Sequence, residues 1–184
     1  LWVICKNTRI AATRADEEAA KKIGKNAHTY LQKAVAIMQD SYSKAFNDRT
    51  ELIPDAPFSR DGSKKAAVLG IVNELFQSYF TLNILRLCKN LIKPVQTRKL
   101  DENGTKGQLV TYKYFVGRLS MFEDQHALAE QNLDYAFRHC HKDAFNNKRQ
   151  ILQYLVPVKL LRGRLPSSYL LKKYKLFEFE GLVD

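Results

Sequence analysis

The stretch YFVGRLSMFEDQHALAEQNLDYAFRHC, from Tyr114 to Cys140, constrains the fold of this chain more than any other. Gly117 lies inside an apolar helical pattern. A break follows at Phe122, Glu123 and Asp124, and then a second helical pattern carries Ala129 and Ala136. A helix face that meets a core normally presents bulk. Two helices that cross closely need the reverse, because large side chains at the crossing hold the axes apart. The spacing therefore predicts an antiparallel helical pair over 108–122 and 125–141, with Gly117, Ala129 and Ala136 at its crossing. This reading makes Gly117 an architectural residue with no catalytic part.

The same order of residues occurs in tetratricopeptide-type repeats: a large apolar residue then Gly on the first helix, and Ala, a large apolar residue and Ala on the second. Val116-Gly117 and Ala129, Leu133 and Ala136 follow it, but Lys113 and Ser120 stand where such repeats carry large residues. A degenerate repeat of an α-solenoid and a plain antiparallel pair in a bundle both fit. Elsewhere apolar residues recur at three and four, the helical period. Residues 1–14 read as the end of one helix. Residues 16–47 read as another, its face formed by Ala27, Tyr30, Leu31, Ala34, Val35, Met38, Tyr42 and Phe46, with Gly24 as a point of interruption. A proline-containing loop covers 48–62, and Ser63 caps a helix through Leu82. Its partner spans 83–96, with Leu85, Leu87, Cys88, Leu91, Ile92 and Val95 inward. A polar loop follows at 97–107. Later helices are expected over 147–162, with a kink at Pro157, and from Pro166-Ser167 to Tyr174. No segment reads as a strand. The expected organisation is an N-terminal helical segment and loop over 1–62 and helical repeats over 63–184.

Charge is unevenly placed. The net charge is +11, and residues 142–175 hold nine Lys and Arg against one acid, Asp143. Lys148, Arg149, Lys159, Arg162, Arg164, Lys172, Lys173 and Lys175 are thus candidates for binding nucleic acid or an acidic partner. A solvated helix surface is the alternative. Lys148, Arg149 and Lys159 fall outside the stripe Ile151, Leu152, Leu155 and Val158, so they are expected to face solvent or a partner.

No phosphate-binding loop and no dinucleotide fingerprint occurs. His139, Cys140 and His141 are adjacent, and neighbouring helical residues diverge by about 100°, so they cannot converge on one ion. No metal site, cofactor or catalytic group is expected. Cys5, Cys88 and Cys140 are odd in number and far apart, as in proteins of reducing compartments. No apolar run approaches the roughly 18 residues of a membrane span, and Lys6 and Arg9 interrupt any secretory signal. The first residue is Leu, so the chain is expected to begin within a longer protein.

Three stretches together resemble a known family: NELFQSYFTLNILRLCKNLIKPV (73–95), VTYKYFVGRLSMFEDQHALAEQNLDYAFRHCH (110–141) and NNKRQILQYLVPVKLLRGRLPSSYLLKKYKL (146–176). They are similar to the PCI-domain proteins of the nuclear mRNA-export branch. These include the PCI subunit of the second transcription–export (TREX) complex and the COP9-signalosome-subunit-twelve-like protein. Residues 1–62 match only in helical character. The resemblance implies an all-α, right-handed superhelix of TPR-like helical hairpins, the helical part of a PCI domain. It also implies a winged helix, which does not follow FEFEGLVD here, so a fragment without that module is expected. By the same resemblance the chain is a non-catalytic scaffold subunit of a transcription-coupled mRNA-export complex. Its implied partners are a large nuclear scaffold protein, a small acidic disordered subunit shared with the proteasome lid, and RNA or DNA, but no membrane. The implied location is the nucleus with the nuclear-pore periphery, and the cytoplasm as a second compartment. Alternatives are a related complex acting in transcription elongation, splicing or the COP9 signalosome, and a stand-alone RNA-binding helical module.

Overall fold

The computed structural model describes residues 1–23, 28–50 and 63–182, and every regular element among them is helical. The fold is all-α. Eight α-helices follow in order: α1 (Trp2–Ile23), α2 (Thr29–Phe46), α3 (Val68–Thr81), α4 (Arg86–Thr97), α5 (Lys106–Phe122), α6 (His126–His139), α7 (Phe145–Leu161) and α8 (Ser168–Tyr174). Short 3-10 turns occur at Lys64–Ala67, Leu100–Asn103 and Phe177–Leu182. No described helix is long and apolar enough to cross a membrane. The chain groups into two compact units, Leu1–Gln108 and Leu109–Asp184. The boundary expected at 62/63 has one side outside the described residues.

In the first unit α3 packs against α1, α2 and α4. Helix α3 is apolar around most of its circumference, as a helix surrounded by neighbours must be. Leu69, Val72, Leu75, Phe76 and Tyr79 are all buried on it. Its one buried acid, Glu74, meets Arg9 of α1 at 2.6 Å, which offsets the cost of removing the carboxylate from water. Asp16 plays a similar part for α2. His28, before that helix, takes a left-handed conformation and supplies no side-chain cap. Asp16, buried in the middle of α1, accepts hydrogen bonds from the Tyr30 and Leu31 amides at 3.0 and 2.9 Å instead. A carboxylate borrowed from a neighbouring helix thus satisfies two of the orphan donors of a helix start.

Several expected boundaries move. Helix α1 runs unbroken through residue 15, so residues 1–14 and 16–23 are one helix. Gly24 and Ala27 lie outside the described residues. Tyr30, expected on the apolar face of α2, is 50% exposed, and only its amide engages α1. Leu87 is also exposed, because it belongs to the outward turn that opens α4, while Cys88, Leu91 and Val95 are buried. The polar loop at 97–107 contains the 3-10 turn Leu100–Asn103 and buries Leu100. It ends in a capping box that opens α5: the Thr105 amide donates to Gln108 Oε1 at 3.0 Å and the Gln108 amide to Thr105 Oγ1 at 3.3 Å. Of the loop at 48–62, residues 51–62 lie outside the described residues. Its two described ends are joined by Asp48, whose carboxylate accepts from the Lys64 and Thr50 amides at 2.7 and 3.3 Å.

In the second unit α6 packs on α7, and α8 joins α7. Ala129, Leu133 and Ala136 of α6 are fully buried. A Cβ placed on Gly117 of α5 would lie 2.6 Å from Leu133 Cγ and 3.2 Å from the Leu133 backbone nitrogen. The missing side chain is what lets the two helices meet there. Helix α7 continues through Pro157. Four helices end in a shared closure, in which the amide one residue past a left-handed position bonds back five residues and the left-handed residue's own amide bonds back three. The left-handed residues are Asn83, Asp124, Gly163 and Lys175. For α7 the two bonds are Arg164 N to Lys159 O and Gly163 N to Leu160 O, both 2.9 Å. For α8 they are Leu176 N to Leu171 O at 3.0 Å and Lys175 N to Lys172 O at 3.2 Å.

Two outcomes follow. Gly117→Ala should lower unfolding free energy by about 1–3 kcal/mol, since Leu133 must yield to the new carbon, and an unchanged urea midpoint would contradict the crossing. The amide of Lys64, then that of Thr50, hold the Asp48 carboxyl down at about 2 against an ordinary 3.8. A depressed folded pKa stabilises above the unfolded value and loses that contribution as pH falls. The difference in Tm between wild type and Asp48→Asn should therefore be full at neutral pH and vanish as pH falls from about 3.8 to about 2.

Candidate polyanion-binding surface

The late basic residues divide into two groups, and the acids of α6 make the division. Glu130 and Asp134 stand one turn apart on α6, beside the stripe that faces α5. Glu130 is buried, its side chain only 9% exposed. Arg162 and Arg164 both donate to it, Arg164 Nη1 reaching Oε1 at 2.7 Å and Arg162 reaching Oε2. Gly163, at φ +72°, turns the chain between them so that both guanidinium groups arrive at one carboxylate. Asp134 takes Lys159 at 3.0 Å and Arg138 at 2.6 Å. Lys159, Arg162 and Arg164 are thus engaged within the fold.

Lys148 and Arg149 are half-buried. The Lys148 ammonium lies 5.0 Å from the Phe137 ring, a cation–π contact. Arg149 Nε is buried. Lys148, Arg149 and Lys159, expected to face solvent or a partner, project from the edge of the α7 stripe and are half-buried, and Lys159 also pairs with Asp134. The remaining three differ. Lys172, Lys173 and Lys175 are exposed, and no acid pairs with them among the described residues. Lys173 lies 5.7 Å over the Tyr169 ring and 5.8 Å over that of Tyr174. Sequence reasoning placed all eight cations in one region but missed Glu130 and Asp134, whose direction on α6 a count of charges does not show.

The His139-Cys140-His141 run is separated by its surroundings. His139 Nδ1 bonds the Tyr135 carbonyl at 2.9 Å and its ring stacks on Tyr135 at 4.0 Å. Cys140 points into the core, where burial raises its thiol pKa. His141 turns to Asp143 at 3.6 Å in solvent. Among the described residues no group of three or more His, Cys, Asp or Glu could hold a metal ion.

No family model matches the chain. Individual relatives do. It is 40% identical over 179 residues to PCI domain-containing protein 2 of Xenopus laevis, covering 97% of this chain and 43% of the relative. The protein of that name from Danio rerio is 37% identical over the whole chain and 44% of its own length. The chain belongs to the PCI domain-containing protein 2 family. A CSN12 homolog of Neurospora crassa is 33% identical over 95% of the chain and 41% of its own length, which extends the family to that branch. The chain spans less than half the length of the PCI-family relatives it matches.

The two groups of cations should respond oppositely to reversal. Arg162→Glu with Arg164→Glu removes both partners of the buried Glu130 and adds like charge. It should destabilise the protein by at least about 1.5–3 kcal/mol, read by urea denaturation. Lys172→Glu with Lys173→Glu should stay within about 0.5 kcal/mol of wild type. Equal stability of the two variants would contradict the division.

Proposed function

We propose that this chain is a non-catalytic scaffold subunit of a nuclear, transcription-coupled mRNA-export complex. In this reading it is bound by a large export scaffold protein and by a small acidic disordered subunit, and it contributes to nucleic-acid contact. The observation that carries the reading is its 37–40% identity to PCI domain-containing protein 2 relatives over 97–100% of its length. The surface supports it. A groove of about 320 Å³ in the second unit is lined by the apolar Phe137, Leu152, Leu155 and Val156 and by Asp134 with its two partners, Arg138 and Lys159. Such a groove suits an apolar side chain of a protein partner.

A second reading has its own observation, the 33% identity to a CSN12 homolog. It makes the chain a subunit of a related PCI complex acting in transcription elongation, splicing or the COP9 signalosome. Affinity capture from nuclear extract with the tagged chain separates the two. The first reading expects a large export scaffold and a small acidic subunit in stoichiometric recovery. Recovery of signalosome subunits alone would replace it with the second, and recovery of neither assembly would remove both.

A further inference from the structure

From Tyr169 to Phe177 the chain reads YLLKKYKLF, and the structure sorts these nine residues cleanly. Leu171, Tyr174 and Leu176 are buried, and Leu170 is half-buried. The exposed residues are two aromatics, Tyr169 at 73% and Phe177 at 61%, and three lysines, Lys172, Lys173 and Lys175. No acid lies within the strip; Glu178 and Glu180 follow it. The cations of the neighbouring region are engaged elsewhere: Lys159, Arg162 and Arg164 are held by the acids of α6. Other tyrosines of the unit are also engaged. Tyr154 lies under the Arg118 guanidinium at 4.4 Å, and Tyr174 is stacked on Phe145 at 5.4 Å.

The strip is built on a rigid frame. Ser167 caps α8 through the Leu170 amide at 3.3 Å, and the closure at Lys175 and Leu176 locks the other end. Leu171 and Leu176, both fully buried, are the apolar pair that accompanies that closure. At its left-handed position the three other closures place Asn83, Asp124 and Gly163, residues suited to positive φ, whereas α8 places Lys175 at φ 54°. Lys99 takes the same region just after α4, its amide bonding back three residues to Gln96 O at 3.1 Å.

We propose that the exposed face of Tyr169–Phe177 is a binding site for single-stranded nucleic acid. Unpaired bases stack on the Tyr169 and Phe177 rings, and Lys172, Lys173 and Lys175 contact the phosphates. Exposed rings interleaved with cations suit unpaired bases, since a duplex buries its base faces in its own stack. An acidic peptide would use the lysines but not the two rings. The proposal rests on the nucleic-acid part of the function proposed above and assigns it to named residues.

The test is fluorescence anisotropy with labelled 12-nucleotide oligouridine and oligothymidine, a 12-base-pair duplex and a polyglutamate peptide, at several salt concentrations. Both single strands should bind more tightly than the duplex or the polyglutamate. Tyr169→Ala should weaken oligouridine roughly fivefold or more without changing the salt slope. Lys172→Gln with Lys173→Gln should reduce that slope by about 1.4. Lys175→Gly should raise Tm yet weaken binding, two effects that a merely structural residue would not combine. Unchanged affinity in Tyr169→Ala, equal binding of the duplex, tighter binding of polyglutamate, or no binding of either single strand would each overturn the proposal. Failure here with the export partners still captured from extract leaves the scaffold reading standing. Binding here with no partner captured sinks that reading and keeps the site.

Discussion

The second unit depends on how closely α6 can lie against α5, and that distance is set by one absent side chain. Gly117 leaves room for Leu133, and a carbon there would meet Leu133 at 2.6 Å. Once α6 is seated by Ala129, Leu133 and Ala136, the direction of its other side is fixed by helical geometry. Glu130 and Asp134 follow Ala129 and Leu133 by one residue, so they lie on an adjacent face about 100° away. That face receives the end of α7 and the Arg162-Gly163-Arg164 turn. A steric fact about one crossing therefore determines which cations find partners inside the fold.

The two kinds of cation have different physical weight. Glu130 is removed from water, and a carboxylate there without its arginines is costly, because little solvent remains to replace them. The Lys172, Lys173 and Lys175 ammonium groups stay hydrated and add little to stability. Their use lies in long-range attraction of polyanions, which acts through summed charge and falls with salt. A net charge of +11 thus overstates the surface available for binding, and the exposed strip after Ser167 carries a larger share of it than the residue count suggests.

What could be read in the sequence was mostly what is local. The periodicities of α3, α6 and α7 placed those helices within a few residues, and the spacing of Gly117, Ala129 and Ala136 pointed to a close crossing because a helix repeat is visible in one dimension. The Thr105–Gln108 capping box was not read, because it lies in the glycine-containing stretch GTKGQ, which reads as a loop. Long-range pairing was not legible. Asp16 caps a helix fourteen residues on, and Arg162 and Arg164 reach Glu130 across 32 and 34 residues. Neither leaves a periodic trace. The same holds for Tyr154, Tyr169 and Tyr174: all stand at plausible core spacings, and it is exposure that separates Tyr169, 73% exposed beside the Lys173 ammonium, from the two packed rings.

The central claim is that Arg162 and Arg164 belong to the fold while Tyr169, Lys172, Lys173 and Lys175 belong to a ligand. Side-chain NMR of arginine Nε–H and lysine Nζ groups, recorded with and without oligouridine, tests it most directly. The account predicts that the two arginine signals exchange slowly with solvent in the free protein and stay in place on titration, while the tyrosine ring and lysine signals shift. Fast-exchanging arginine signals that move with oligouridine, beside unmoved Tyr169 and lysine signals, would contradict it.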